Sequence, residues 1–461
     1  MITTIPPAIH DVWRSARLLK SVYGLACGLM QVTYHVFLYE HFGASPTALK
    51  MTVGIYMLMS LATVFLEIPT GALGDYLGRK KAIVLCFALE ALVYFLRAWI
   101  YFIPAFGLSL FIAATAALLK AVSYSFYTGS ITAWIVDSVN ERGIDGGHGP
   151  ILARVASASL AAKIIGAGIG VWCYLSGVVF IAFGLGSLAA LLCAIYCGAT
   201  MPETQSLQFH HGNPFVREAR QRVREIMVVG WRVCIQHPPV RYMTVMFVGF
   251  MMIVHLVEIL WPIALRSNFG IGQMTLYWYL ITFGGMGAAY GGARLLLRIL
   301  AGARMHPFTL GSPLRLWHWF GGICVVMSVS ILVLGAFKLS GRLTPMIFLV
   351  AFVGFNVAFG FLMPAYETLL NVAVPTINAR ERATINSIGP MLVDVAIVIF
   401  ALPSSGWSGE TTVVGWMLPA SFLLILTCIV HVALCRYFHQ QVGDVSPQMV
   451  AVSSTFAEAA D

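Results

Sequence analysis

Residues 71–81 read GALGDYLGRKK, a polar stretch between two long apolar runs. Glycine at Gly78 permits a tight chain reversal that a larger residue would strain, and small Gly71 permits close packing of neighbouring helices. The three cations after Gly78 are typical of a segment retained on the cytoplasmic side of a membrane. Asp75 can pair with them or lie at a helix N-terminus. The sequence therefore predicts a charged turn between two membrane helices, with a plain solvated loop as the alternative.

The composition is that of a polytopic membrane protein. Of 461 residues, 59% are hydrophobic and 10% are charged, against about 25% charged in soluble proteins. The net charge of +9 does not indicate a nucleic-acid partner, because the basic residues lie in short loops between apolar runs. Cys193 and Cys197, one helical turn apart, suit packing better than metal or disulfide chemistry. We predict no metal, no cofactor and no nucleic-acid partner.

Apolar runs long enough to cross a hydrocarbon core of about 30 Å recur along the chain. About twelve are predicted, near residues 20–42, 49–73, 82–104, 108–136, 154–176, 178–199, 241–264, 274–298, 317–338, 344–371, 384–403 and 413–436. The longest polar stretch separates them into two groups of six. We expect an all-α membrane protein with an N-terminal half (1–200), a cytoplasmic linker (201–240), a C-terminal half (241–438) and a cytoplasmic tail (439–461).

The distribution of basic residues orients the chain. If the N-terminus is cytoplasmic, few of the 28 Lys and Arg residues fall on the external side of the membrane. These are Lys50, Arg266, Lys338 and Arg342. Cytoplasmic segments of membrane proteins carry the excess of Lys and Arg, so both termini are predicted to be cytoplasmic. The arginine-rich part of the linker, 217–224, is expected to form an amphipathic helix on the anionic inner leaflet, with membrane lipid as its partner.

Residues 71–81 resemble the G-x-x-x-D-x-x-G-R-K signature between the second and third helices of the major facilitator superfamily. The signature places are taken by Gly71, Asp75, Gly78, Arg79 and Lys80. The stretches EIPT at 67–70, PET at 202–204 and RATINS at 382–387 resemble further elements of that superfamily. The resemblance covers nearly the whole chain. It implies a secondary transporter whose two six-helix halves give alternating access to a site at mid-membrane.

Two lysines lie within predicted spans, Lys120 near the middle of span four and Lys163 in the inner half of span five. A charge within a span costs about 2.5 to 3.5 kcal/mol, so it needs a partner, a water-filled cavity or a path to the interface. The resemblance implies that span four lines the central cavity and that span five lies beside it. With no obvious adjacent acid, both lysines are predicted to bind an anionic part of the substrate. The alternative is a lysine that snorkels or pairs between helices.

The C-terminal half supplies candidate proton carriers. His255 and Glu258, three residues apart on span seven, share a helix face, and Asp394 lies near the middle of span eleven. A carboxylate within a span can load and release a proton, and histidine titrates near neutrality. We predict that Glu258 and Asp394 couple protons and that His255 contacts substrate. A fixed salt bridge from either carboxylate to one of the lysines is the alternative.

Other polar residues of the N-terminal half have weaker assignments. Tyr34 and His35, toward the outer side of span one, are candidates for substrate contact, although a plain hydrogen-bonded role for His35 is favoured over coupling. Glu90 and Arg97, seven residues apart on one face of span three, are expected to form a structural pair.

A gate is implied by the superfamily resemblance. Asp137, at the end of span four, resembles the acid that pairs with the signature arginine. The resemblance thus implies a cluster of Asp75, Arg79 and Asp137 at the inner helix ends, with Arg382 packed against it. Glu367, near the cytoplasmic end of span ten, is a further candidate for the inner gate. Such ion pairs can hold an outward-open state and separate when the inner side opens.

The sequence predicts a monomeric secondary transporter in a bacterial cytoplasmic membrane. Its substrate is expected to be a small organic solute with an anionic group, such as a carboxylate metabolite or a siderophore, and a proton is the expected coupling partner. Multidrug or amphipathic-metabolite efflux is the alternative, although span five lacks the proline typical of drug antiporters. No G-x-x-x-x-G-K-[ST] loop for ATP is present. No catalytic cluster of a membrane enzyme and no soluble signalling domain is recognisable, so neither class is predicted.

Overall fold

A computed structural model describes residues 10–31, 33–142, 148–202, 236–268, 313–336, 350–359, 391–399 and 421–436, with single residues at 228, 232, 347, 362 and 389. Regular structure in these ranges is helical throughout. The helices are α1 (His10–Gln31), α2 (Thr33–His41), α3 (Pro46–Leu77), α4 (Arg79–Ile100), α5 (Phe106–Asn140), α6 (His148–Leu175), α7 (Val179–Thr200), α8 (Pro238–Asn268) and α9 (Pro313–Ala336). Shorter helical stretches cover Val350–Phe359, 391–399 and Ser421–Arg436.

Five stretches within the described helices are long and apolar enough to cross a membrane. They are Pro46–Glu67, Arg79–Ile100, Phe106–Val139, Ala158–Leu175 and Val179–Thr200. Large apolar side chains point outward from them, among them Phe65 at 70% exposure and Phe111 at 68%. A surface of this kind suits contact with lipid rather than water. The prediction of an all-helical membrane fold is confirmed, whereas the run predicted near 274–298 lies outside the described residues.

The turn between α3 and α4 is shorter than predicted. The apolar runs end near residue 73 and resume near 82, but α3 continues to Leu77 and α4 begins at Arg79. Gly78 alone separates them, with φ 92° and ψ 146°, a conformation that a side chain would strain. Its carbonyl already accepts a hydrogen bond from the Ala82 N–H at 3.1 Å. The charged stretch is therefore mostly helix, because Leu, Arg and Lys favour helices and polar side chains at an interface do not interrupt one.

Helices α1 and α6 touch backbone to backbone. A Cβ built on Gly28 would lie 2.0 Å from the carbonyl oxygen of Lys163, and one on Gly166 would lie 2.2 Å from that of Leu25. Equivalent approaches occur at Gly24 and Gly170. Glycines four apart on both helices permit this approach, as in other membrane helix pairs. The contact fixes the backbone at Lys163 against α1.

The chain forms two compact units. Within the described residues, the first contains α1 to α7, the part of α8 from His255 onward, and residues 394–399. Its core holds large buried side chains, including Trp134, Tyr94, Phe87 and Phe183. The second contains the earlier part of α8, α9, and the stretches 350–359 and 421–436. Because most of the linker lies outside the described residues, the boundaries near 200 and 241 stay a prediction.

Candidate functional site

Five polar side chains of the first unit form what we call the His255 cluster: His35, Tyr56, Lys163, His255 and Glu258. They come from four helices, α2, α3, α6 and α8. The Tyr56 hydroxyl lies 3.0 Å from Nδ1 of His255, within hydrogen-bond distance. The same Nδ1 lies 3.7 Å from Oε2 of Glu258. If the tyrosine donates this bond, a neutral His255 ring carries its proton on Nε2.

Glu258 links the rest of the cluster. Its side chain is 34% exposed and that of His255 is 27% exposed, so the pair is neither fully buried nor open. Besides His255, the carboxylate interacts electrostatically with Lys163 and His35. A carboxylate, an imidazole pair and an ammonium group thus share one region of an apolar helical protein. Such intramembrane groups mark substrate and proton paths in membrane proteins.

Lys163 differs from an ordinary ion-pair partner. Its side chain is half-buried, and no carboxylate of the described residues lies within 4.0 Å of its ammonium group. The alternative from sequence, a fixed salt bridge from Glu258 to this lysine, is therefore not formed at contact distance in this structure. Lys163 is a cation among apolar helices whose nearby acid acts from a longer range.

His35 is more isolated than predicted. Its ring stands edge-on to that of Tyr56, with centroids 5.9 Å apart. Within the described part of the chain, its buried Nδ1 has no hydrogen-bond partner, so the plain hydrogen-bonded role is not seen at this atom. An orphaned buried nitrogen calls for an explanation, and a ligand group would satisfy it. Tyr34 has a different environment, with the guanidinium of Arg97 lying 4.1 Å from the centre of its ring.

The premise that placed Lys120 in the substrate site is wrong. Its ammonium nitrogen lies 2.5 Å from Oε1 of Glu90 and 3.3 Å from the hydroxyl of Tyr23. Ser123 donates a further hydrogen bond to the same carboxylate oxygen at 2.9 Å. The side chains of Lys120 and Glu90 are 11% and 1% exposed. Lys120 thus has an adjacent acid, but this acid lies on another helix and cannot be identified from the sequence around Lys120. The ion pair joins α4 to α5, and Tyr23 of α1 lies beside it.

The expected pair of Glu90 with Arg97 is wrong for the same reason. Glu90 points to Lys120, whereas Arg97 donates toward the sulfur of Met30 at 3.3 Å and stacks on Tyr34. Residues seven apart share a helix face, but Glu90 and Arg97 contact different neighbouring helices from that face. Tertiary contacts decided the pairing.

Asp394 lies in a second acidic region of the first unit. Its carboxylate is half-buried and interacts electrostatically with His255. Glu67, on α3, interacts electrostatically with Asp394, and Tyr124 of α5 with both acids. Glu67 belongs to the stretch EIPT that resembles an element of the superfamily, and no site role is predicted for it from sequence. A carboxylate inside the apolar run 49–73 was the signal that could have identified it, since charges in spans are costly.

The gate residues are only partly described. Arg79 Nε lies 3.8 Å from Oδ2 of Asp137, with side-chain exposures of 21% and 47%. An ion pair this exposed contributes at most about 1 kcal/mol, which suits a contact that forms and breaks. Lys80 is half-buried at the start of α4. Gly71 lies within α3, while the side chain of Asp75 and the whole of Glu367 and Arg382 lie outside the described residues, so the gating role stays a prediction.

A family model described as Major Facilitator Superfamily matches residues 18–401. The nucleoside transporter NupG has a similar structure, with a TM-score of 0.63, 11% identity, and coverage of 91% of this chain and 98% of that chain. The xylose transporter XylE from E. coli, in an inward open conformation, is also similar, with a TM-score of 0.62 and 12% identity. The match covers 92% of this chain and 95% of that chain. At these identities the likeness shows the fold alone. No curated protein matches the chain.

The family match covers well over half of the chain, which confirms the resemblance expected from the sequence. The functional class follows from the family match, and the two structural neighbours share its fold. This chain belongs to the Major Facilitator Superfamily and is a multi-pass membrane transporter rather than an enzyme.

Proposed function

We propose that this transporter moves a small organic solute with an anionic group, such as a carboxylate metabolite or a siderophore, across a bacterial cytoplasmic membrane by alternating access coupled to protons. The observation that carries the proposal is Lys163. Among the described residues it has no ion-pair partner within 4.0 Å, and it lies in electrostatic range of Glu258.

A cation in a membrane span costs about 2.5 to 3.5 kcal/mol on insertion scales. An anionic ligand group that contacts Lys163 offsets this cost, and a neutral solute does not. We assign this role to Lys163 rather than to Lys120, because Glu90 is already paired with Lys120. The neighbouring groups with unused or rearrangeable hydrogen-bonding capacity are Tyr56, His255 and the Nδ1 atom of His35. They supply the polar contacts that orient a small solute.

Glu258 provides the coupling. While it is ionised, its carboxylate competes with an anionic substrate for Lys163. A proton on Glu258 removes that competition, so proton and anion favour each other's binding, as linkage requires. Asp394, near His255 and Glu67, is the second candidate carrier. The arrangement supports symport of a proton with the anion.

A neutral, hydroxyl-rich solute is the second candidate. The two structural neighbours are named for nucleoside and xylose transport, and the hydroxyl and imidazole of Tyr56 and His255 suit such solutes. Drug or amphipathic-metabolite efflux remains the alternative from sequence. Replacing Lys163 distinguishes between these candidates, since an anionic substrate would lose its counter-ion whereas a neutral solute would lose at most a hydrogen bond.

Uptake into proteoliposomes tests the proposal. Small carboxylates, a carboxylate siderophore, a nucleoside, xylose and a cationic dye would be compared, each with and without an inward proton gradient. We expect uptake of a carboxylate that the gradient accelerates. Uptake of the neutral solutes alone, or transport of the dye toward the acidic side alone, would overturn the anionic proposal.

A further inference from the structure

Three side chains of a kind that bind metals meet in the second unit. His318 lies on α9, and His431 and Cys435 lie one turn apart on the stretch Ser421–Arg436. One ligand atom from each, an imidazole nitrogen or the cysteine sulfur, lies within 4.8 Å of the other two. We call this group the His318 site. None of its members belongs to the His255 cluster, so it is independent of the proposed transport site.

The distances within the His318 site suit a shared ion. Nδ1 of His318 lies 3.0 Å from Nε2 of His431, and the ring centroids are 5.0 Å apart. In a tetrahedral zinc site with zinc–nitrogen bonds of about 2.0 to 2.1 Å, two ring nitrogens lie roughly 3.4 Å apart. The two ring nitrogens therefore need to separate by only a few tenths of an ångström to bind one ion together. The competing arrangement is a direct hydrogen bond between the rings.

The surrounding helix is shaped for this approach. Gly321 follows His318 by one turn on α9, and a Cβ there would lie 2.5 Å from Nδ1 of His431. The missing side chain lets the His431 ring rest against α9 with Nε2 toward His318. His318 is exposed while His431 and Cys435 are half-buried, so solvent reaches the site and water can supply a fourth ligand.

We propose that His318, His431 and Cys435 form a three-ligand site for Zn²⁺. Two imidazole nitrogens and one sulfur are the donors that zinc takes in proteins, whereas Mg²⁺ and Ca²⁺ require oxygen ligands. The predicted topology places the site at the cytoplasmic ends of spans nine and twelve. A bound ion ties α9 to the last helical stretch and stabilises the folded protein. His318 lies 113 positions before His431, so cysteine and histidine spacing does not reveal the site.

Cobalt substitution tests the proposal on the purified full-length protein. We expect Co²⁺ to bind at one site per chain, with near-ultraviolet charge-transfer absorption from a sulfur–cobalt bond, and Zn²⁺ to displace it. The variant Cys435→Ser should lose that absorption. His318→Gln, at an exposed position, should weaken Zn²⁺ binding at least tenfold. Cys428→Ser, on the same helix but outside the site, should change neither result.

A second measurement needs no variant. Zn²⁺ should slow the reaction of Cys435 with a maleimide, and a chelator should restore the rate, while Mg²⁺ has no effect. It should also raise the thermal midpoint of the wild-type protein. If Co²⁺ gives no sulfur absorption and Zn²⁺ neither protects Cys435 nor binds more tightly than to His318→Gln, the two histidines only hydrogen-bond to each other and the proposal fails.

Discussion

Lys120 and Lys163 lie on consecutive helices of the first unit, and the sequence predicts the same role for both, binding of an anionic part of the substrate. The structure separates them. Lys120 is buried with Glu90 at 2.5 Å and is surrounded by Tyr23 and Ser123. Lys163 is half-buried and has no carboxylate within 4.0 Å among the described residues. An intramembrane cation has a structural role where a carboxylate contacts it directly. It can bind a substrate where the nearest carboxylate lies beyond contact distance.

Breaking the structural pair should have the largest effect. The variant Glu90→Ala leaves the Lys120 ammonium group buried without its carboxylate, a change that costs about 3 to 5 kcal/mol of folding stability. Thermal or denaturant unfolding in detergent would measure it. The double change Glu90→Leu with Lys120→Met should recover most of the loss, because it removes both charges. Lys50→Met, at an exposed position, is the matched control, and equal stability of Glu90→Ala and this control would refute the pairing.

The glycine contact that positions Lys163 comes next. In Gly28→Ala the new methyl group would lie 2.0 Å from the carbonyl oxygen of Lys163, so α1 and α6 must move apart. Forced separation of packed elements costs about 1 to 3 kcal/mol, and transport should fall with it. Gly54→Ala is the control, since nothing lies within 4 Å of a Cβ there. Similar melting temperatures for the two variants would show that the helices accommodate the methyl group.

Removing the available cation should affect binding rather than folding. Lys163→Ala is expected to weaken binding of the anionic substrate at least tenfold, or about 1.4 kcal/mol, with little change in unfolding temperature. Isothermal titration or scintillation proximity binding would measure the affinity. Lys163→Arg, which keeps the charge, should retain part of it. Unchanged affinity in Lys163→Ala would leave the neutral, hydroxyl-rich solute as the better candidate.

The exposed pair at the predicted gate should have the smallest effect on stability. Asp137→Asn removes an ion pair with Arg79 that is worth at most about 1 kcal/mol. The expected result is a nearly unchanged unfolding temperature with an altered transport rate, because the balance between conformations shifts. A rate equal to that of the wild type would remove Asp137 from the gate.

The difference between the lysines also shows where sequence reasoning ends. Apolar run lengths predicted the helices, and Gly78 marked the turn between α3 and α4, since both depend on local properties. The partner of Lys120 lies thirty positions away on another helix. Tyr56 and His255 are 199 positions apart. Depth in a span identifies a charge that needs a partner, but only the packing of helices says which group supplies it.

Competition between Glu258 and the substrate anion for Lys163 is the central claim, and substrate affinity as a function of pH tests it most directly. Wild-type affinity should rise once the pH is low enough to protonate Glu258, whose ionised form His255 and Lys163 stabilise. Glu258→Gln, which resembles the protonated acid, should bind at high pH as tightly as the wild type does at low pH and should lose the pH dependence. A Glu258→Gln variant that keeps the wild-type pH profile, or that binds more weakly at every pH, would contradict it.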